Sequence, residues 1–267
     1  MEKPKAWIIS VGNELLIGRT INTNAAWLGR KLTFLGFEVE RIVTVPDNIE
    51  DIAEEVKRAV ERAKIVITTG GLGPTYDDRT LEGVAKALSL ELAVNDDALE
   101  MVRRFYNAKG LELTPHRVKM AMLPRGARPL KNPIGAAPGA LLKVGGSMII
   151  SLPGVPSEMK AMFEAEVEPV LKEVAPRLEV VECTIRVHGV PESSLAPIID
   201  KAHKASERVY IKSHPEGYET GNPIITIKAL ASAENKPKAI EEAMRSLKYI
   251  VDGARKLGAS ISEEGCS

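Results

Sequence analysis

Glutamine occurs nowhere in the 267 residues, and aromatic side chains make up only 4% of them. The first absence removes a thermolabile side-chain amide, as in heat-adapted proteins. The second leaves little stacking surface for single-stranded nucleic acid. Neither sign of charge is in excess, with 36 Lys+Arg against 36 Asp+Glu, which argues against a general attraction to nucleic acid or to an anionic membrane. No apolar run reaches membrane-spanning length, and the first one, residues 6–11, is too short for a signal peptide. Only two cysteines occur, Cys183 and Cys266, without metal-ligand spacing. One buried side chain and one free tail thiol are expected, in a cytoplasmic, reducing setting. His116, His188, His203 and His214 lack HxH or HxxxH spacing, which speaks against a histidine metal centre or a nucleophilic triad. A lysine-bearing phosphate loop is missing as well.

The richest stretch is Lys64-Ile65-Val66-Ile67-Thr68-Thr69-Gly70-Gly71-Leu72-Gly73-Pro74-Thr75-Tyr76-Asp77-Asp78-Arg79-Thr80. Its β-branched run reads as a strand covered on both faces. Gly70, Gly71 and Gly73 let the backbone turn and bring its N–H groups close to a ligand. Leu81, Val84, Ala85 and Leu88 then repeat at helical spacing, so the turn leads to a helix N-terminus, where anions are favoured. One aspartate of the Asp77-Asp78 pair is explained as the helix N-cap. A second carboxylate beside a phosphate calls for a divalent cation between them.

Strands and helices alternate through the first part: strand 6–11, helix 24–35, strand 37–45, a helix capped by Asn48 with Asp51 completing a capping box, strand 64–69, and helices at 78–88, 96–109 and 115–122. Strands at 140–144 and 147–152 flank a Gly145-Gly146 turn, and a helix over 157–174 ends before Pro176. The remainder reads as strand 179–187, helix 193–203, strands 209–213 and 223–230, and helix 237–254. The expected fold class is α/β, a doubly wound sheet over residues 1–175 with a smaller α+β domain over 176–267.

The Gly70–Thr80 stretch resembles the loop of the MoaB/MogA/gephyrin fold, in the form GGLGPTxDDxT of the CinA family. Further similar motifs are Gly12-Asn13-Glu14-Leu15-Leu16-Ile17-Gly18, Asn22-Thr23-Asn24, Asp47-Asn48, Asn132-Pro133-Ile134-Gly135-Ala136-Ala137-Pro138-Gly139 and Leu152-Pro153-Gly154-Val155-Pro156-Ser157-Glu158-Met159. Asn13 stands where some members have Asp, and Ala136 where many have Thr. The resemblance implies a MoaB/MogA-like three-layer domain followed by a KH-like one, without the nicotinamide mononucleotide deamidase domain of many bacterial members. The second domain lacks a GxxG clamp, because Gly189-Val190-Pro191-Glu192 ends in an acid that repels a phosphate backbone. Nucleic acid and membrane are therefore not expected partners.

The function that the resemblance implies is a metal-dependent ADP-ribose pyrophosphatase; the alternatives are a molybdopterin-binding protein of cofactor assembly and a non-catalytic nucleotide sensor. Asp78, Asp47 and Glu14 are the candidate catalytic carboxylates, with Asp78 and Asp47 the ligands of a divalent cation, Mg2+ first; the resemblance adds K+. Gly12, Asn13, Asn24, Thr69, Gly70, Gly71, Leu72, Gly73, Pro74, Thr75, Asp77, Gly154, Ser157 and Glu158 are the expected contacts to a nucleotide or pterin phosphate. Asn24 and Ser157 also read as helix caps, and Asp47 as a turn residue after Pro46. The family implies a homo-oligomer, a dimer first.

Overall fold

The computed structural model describes residues 3–206, 208–216 and 221–267, so Met1 and Glu2, read as the lead into the first strand, lie outside it. The chain divides into two compact units, Met1–Thr33 with Phe37–Pro176, and Phe34–Gly36 with Arg177–Ser267.

The first unit is a three-layer α/β fold. In chain order it runs β1 (Lys5–Val11), α1 (Asn13–Leu16), α2 (Thr23–Phe34), β2 (Glu38–Val45), α3 (Ile49–Arg62), β3 (Ile65–Thr69), α4 (Thr80–Ala87), β4 (Leu92–Val94), α5 (Asp96–Asn107) and α6 (Pro115–Lys119). It continues through β5 (Met122–Pro124), β6 (Arg128–Leu130), β7 (Gly139–Val144), β8 (Ser147–Leu152), α7 (Pro156–Met162), a π turn (Phe163–Val167) and α8 (Glu168–Val174). The six-stranded sheet has the order β2-β1-β3-β8-β7-β6. β2, β1, β3 and β8 are parallel, while β7 and β6 join antiparallel. Every residue of β3 and β8 is buried, as their apolar runs require when helices cover both faces.

This order places four strand ends, Val11, Val45, Thr69 and Leu152, along one edge of the sheet. The chain leaves β1 for β2 on one side, then returns to the other side for β3. Open α/β sheets bind ligands at such a reversal.

Several expected elements are corrected. The helix expected over 78–88 begins at Thr80, with Arg79 in the cap position and no side-chain cap. The one expected over 115–122 stops at Lys119, and Met122 opens the short strand β5. Asn48 does cap α3, accepting from the N–H groups of Glu50 and Asp51. The box is not closed, because the Asn48 N–H bonds to the Pro46 carbonyl. The helix over 157–174 is interrupted by the π turn. Pro169 has no N–H to offer the Ala165 carbonyl and would crowd it, so the ladder widens there.

In the second unit, β9 (Glu179–His188), α9 (Glu192–Lys204), β10 (Val209–Glu216), β11 (Ile224–Ala233), α10 (Lys236–Lys256) and β12 (Ser260–Cys266) form an antiparallel sheet of order β10-β11-β9-β12. Alternate residues Val181, Cys183, Ile185 and Val187 of β9 join Leu195 and Ile199 of α9 and Leu247 and Ile250 of α10 in one core. The expectation for the cysteines is overturned: Cys183 and Cys266 form a disulfide between paired positions of β9 and β12.

Candidate functional site

The segments that follow the parallel strands line one cleft of about 460 Å³. After β1, the Gly12 N–H bonds to the Val45 carbonyl at 3.1 Å, and the single turn of α1 brings Glu14 into the lining. After β2, Asp47 accepts the Asn13 N–H on Oδ2 at 2.8 Å and lines the cleft with its flank half-buried. Asp47 thus serves as more than a turn residue.

After β3 the backbone turns through Gly70 (φ 102°) and Gly71 (φ 64°). A Cβ on Gly70 would stand 2.2 Å from the Val11 carbonyl oxygen, and one on Gly71 would stand 2.4 Å from Thr80 Oγ1. Close packing of the turn, as well as its left-handed dihedrals, therefore demands both glycines. Thr80 locks the turn, its hydroxyl donating to the Gly70 carbonyl at 2.7 Å and its N–H to the Gly71 carbonyl at 3.2 Å. The N–H groups of Gly71, Leu72 and Gly73 find no acceptor among the described residues. All three residues line the cleft.

Asp77 and Asp78 do not cap α4. Asp78 Oδ2 accepts the Thr75 N–H at 2.8 Å and lies 2.5 Å from the Thr75 hydroxyl, which also reaches Asp77 Oδ1. The Thr75 hydroxyl, the N–H of Asp77 itself and the nearby Lys119 hold the Asp77 carboxyl below its ordinary range, against a smaller upward push from desolvation. Pro74, Thr75, Asp77 and Asp78 all line the cleft.

Beyond β8, Gly154 and Glu158 complete the lining. Glu158 Oε2 accepts from Asn132 Nδ2 at 2.7 Å. Ser157 is exposed and lies outside the lining; the α7 cap position belongs to Val155, so Ser157 is not the cap either. Asn24 is not a cap, because Asn22 Oδ1 accepts the Ala25 N–H at 3.1 Å. Buried Asn24 instead donates to Thr69 Oγ1 at 3.2 Å and to the Gly154 carbonyl at 2.8 Å, tying two strand ends together. Asn24 and Thr69 border a smaller hollow of about 80 Å³, and Asn13 enters the site through its backbone alone.

Tyr106, Met120, Ala136 and Ala137 also line the cleft. Sequence reasoning did not single out Tyr106 or Met120 as contacts, since α5 and α6 lie far along the chain from the glycine loop. Lys119 is a further unforeseen residue, donating to the carbonyls of Thr75 and Asp78.

Glu14, Asp47, Asp77, Asp78 and Glu158 line the cleft, and among the described residues no Lys or Arg does. An anionic ligand therefore needs a compensating cation. Among the described residues no group of three or more His, Cys, Asp or Glu is arranged to hold a metal ion. Asp47 and Asp78 each spend one oxygen on a main-chain N–H and keep the other clear of described donors. That fits magnesium, which commonly takes one or two carboxylates and completes its shell with ligand phosphate and water.

A family model described as "Probable molybdopterin binding domain" matches residues 7–173. The chain belongs to this family. The matched stretch contains every cleft residue of the probable molybdopterin-binding domain. A protein of Aeropyrum pernix is 64% identical over 263 residues, covering 98% of each chain. One of Pyrobaculum aerophilum is 54% identical over 237 residues, covering 89% of each. The solved structure of CinA from Thermoplasma acidophilum, described as of unknown function, is 45% identical with a TM-score of 0.60, covering 63% of this chain and 98% of that one. The chain is thus CinA-like as well. Among the described residues no helix is long and apolar enough to cross a membrane.

Proposed function

We propose that the cleft binds a phosphate-bearing pterin of the molybdopterin type, its phosphate held by the main-chain N–H groups of Gly71, Leu72 and Gly73. The observation that carries this reading is those three N–H groups, without acceptors among the described residues, on a turn that follows a buried strand and lines the cleft. Membership of the probable molybdopterin-binding family supports the pterin. Asp47 and Asp78 would hold a divalent cation together with the phosphate. Such a cation, when bound, offsets the negative charge of the cleft and acts as a Lewis acid toward the phosphate. Asn13 and Thr75 orient these carboxylates through their N–H groups.

Calorimetric titration of the protein with a pterin phosphate, AMP and ADP-ribose, with and without Mg2+, tests the reading. Magnesium-dependent binding that is lost in Gly71→Val is expected; failure of every phosphate ester to bind would overturn it.

A second reading, hydrolysis of ADP-ribose, is favoured by one observation: Glu14 lines the cleft, and its carboxylate has no hydrogen-bond partner among the described residues. A carboxylate not committed to structure is available as a general base toward water. Release of AMP and ribose 5-phosphate from ADP-ribose, abolished in Glu14→Gln, is its test.

A further inference from the structure

We infer that Tyr106 is the stacking surface for a flat nitrogen heterocycle carried by the phosphate-bearing ligand, an inference that rests on the phosphate-binding reading above. The cleft has two chemically different parts. One is the glycine turn with the carboxylates, Glu158 standing beside the Ala136–Ala137 segment through their shared partner Asn132; the other is the set of uncharged side chains Tyr106, Met120, Ala136 and Ala137. A phosphate alone has no use for the second part.

Tyr106 is only half-buried, with one edge of its contacts in the core of the first unit. The Arg117 guanidinium lies 4.0 Å from the ring centroid, and Arg117 does not line the cleft. The ring is thereby backed from outside and held in orientation, at little further entropic loss when a ligand stacks on it. The neighbouring wall is equally fixed. Asn132 Oδ1 accepts the Gly135 N–H at 2.8 Å, and Asn132 Nδ2 donates to the Ala137 carbonyl at 3.1 Å. Ala136 and Ala137 contribute only methyl groups to the lining of the same cleft. A cleft of about 460 Å³ falls in the range that accommodates a ring, a linker and a phosphate. Packing alone would be served by leucine; a backed aromatic ring in the lining of a polar cleft is what a planar ligand needs.

Purines and pterins share this chemistry, and ligand choice separates them. Wild type, Tyr106→Phe and Tyr106→Leu are titrated with AMP, a pterin phosphate and ribose 5-phosphate in Mg2+, with thermal unfolding of each variant as the fold control. The ring-bearing ligands should bind Tyr106→Phe as they bind wild type and lose about ten-fold or more in Tyr106→Leu, whereas ribose 5-phosphate should be unmoved. A loss confined to AMP or to the pterin identifies which heterocycle is taken. Equal losses for all three ligands, or no loss for either heterocycle, would overturn the stacking role while leaving phosphate binding intact. Failure of wild type to bind any of the three would remove the phosphate site itself.

Discussion

Lys119 donates from Nζ to the carbonyl oxygen of Asp78 at 2.8 Å, and also to that of Thr75, across 41 residues of sequence in the first case. An ammonium from α6 thus fastens the acidic loop without entering the cleft lining. Hydrogen bonds made by charged groups contribute roughly 1.5–3 kcal/mol. Lys119→Met should loosen residues 74–79, seen as faster amide exchange there, weaken magnesium-dependent AMP binding by about ten-fold, and lower the melting temperature by a few degrees. Unchanged exchange in that segment would sink the fastening role.

Gly70→Ala sets the new methyl against main-chain atoms that cannot swing aside, at 2.2 Å from the Val11 carbonyl and with φ at 102°. A loss of about 3 kcal/mol in urea unfolding is expected. Gly126→Ala is the control: φ is 86° but nothing lies within 4 Å of the new Cβ, so only the dihedral penalty, about 1 kcal/mol, applies. Equal losses at both sites would mean that contact with Val11 contributes nothing.

Reduction of the Cys183–Cys266 bridge releases a constraint across 83 residues of sequence. On the chain-entropy model that is worth about 4.5 kcal/mol. Cys266→Ser, or wild type in reductant, should unfold at correspondingly lower denaturant. Coincident transitions in oxidising and reducing buffer would contradict it.

Thr75→Val removes the leading cause of the lowered Asp77 pKa. In wild type the depressed carboxyl stays ionised as pH falls below its ordinary value, so its favourable contribution holds above that value and is lost as pH drops through the folded pKa. In the variant that loss moves to higher pH, toward the ordinary aspartate range. Carbon-13 titration of the Asp77 carboxyl reads it directly; an unmoved midpoint would pass the effect to the backbone N–H and Lys119.

The glycine turn was legible because its signals are local: a β-branched run, positive-φ glycines and a following apolar period. So was the Asn48 cap, a contact spanning two and three residues. Asp78 was assigned to the cleft for its charge, but its capping alternative failed because the carboxyl folds back onto Thr75. Strand β12 escaped notice, since Ser260–Cys266 has no apolar alternation and is drawn into the sheet by pairing with β9. β5 and β6 are three residues each and contain Pro124 and Pro129, so propensity spoke against them. Tyr106 lies 28 positions beyond Asp78, and only the fold brings it to the same cleft.

The π turn has a consequence for angular phase. Met159, Phe163, Val167 and Leu171 are all fully buried and recur every four residues. At about 100° per residue, the twelve steps from first to last would leave Leu171 roughly 120° away from Met159 around an uninterrupted α-helix. The residue accommodated by the π turn absorbs one step, which brings the offset down to about 20°. The wider turn therefore acts as a vernier, resetting the helix so that a strict four-residue apolar period stays buried from end to end.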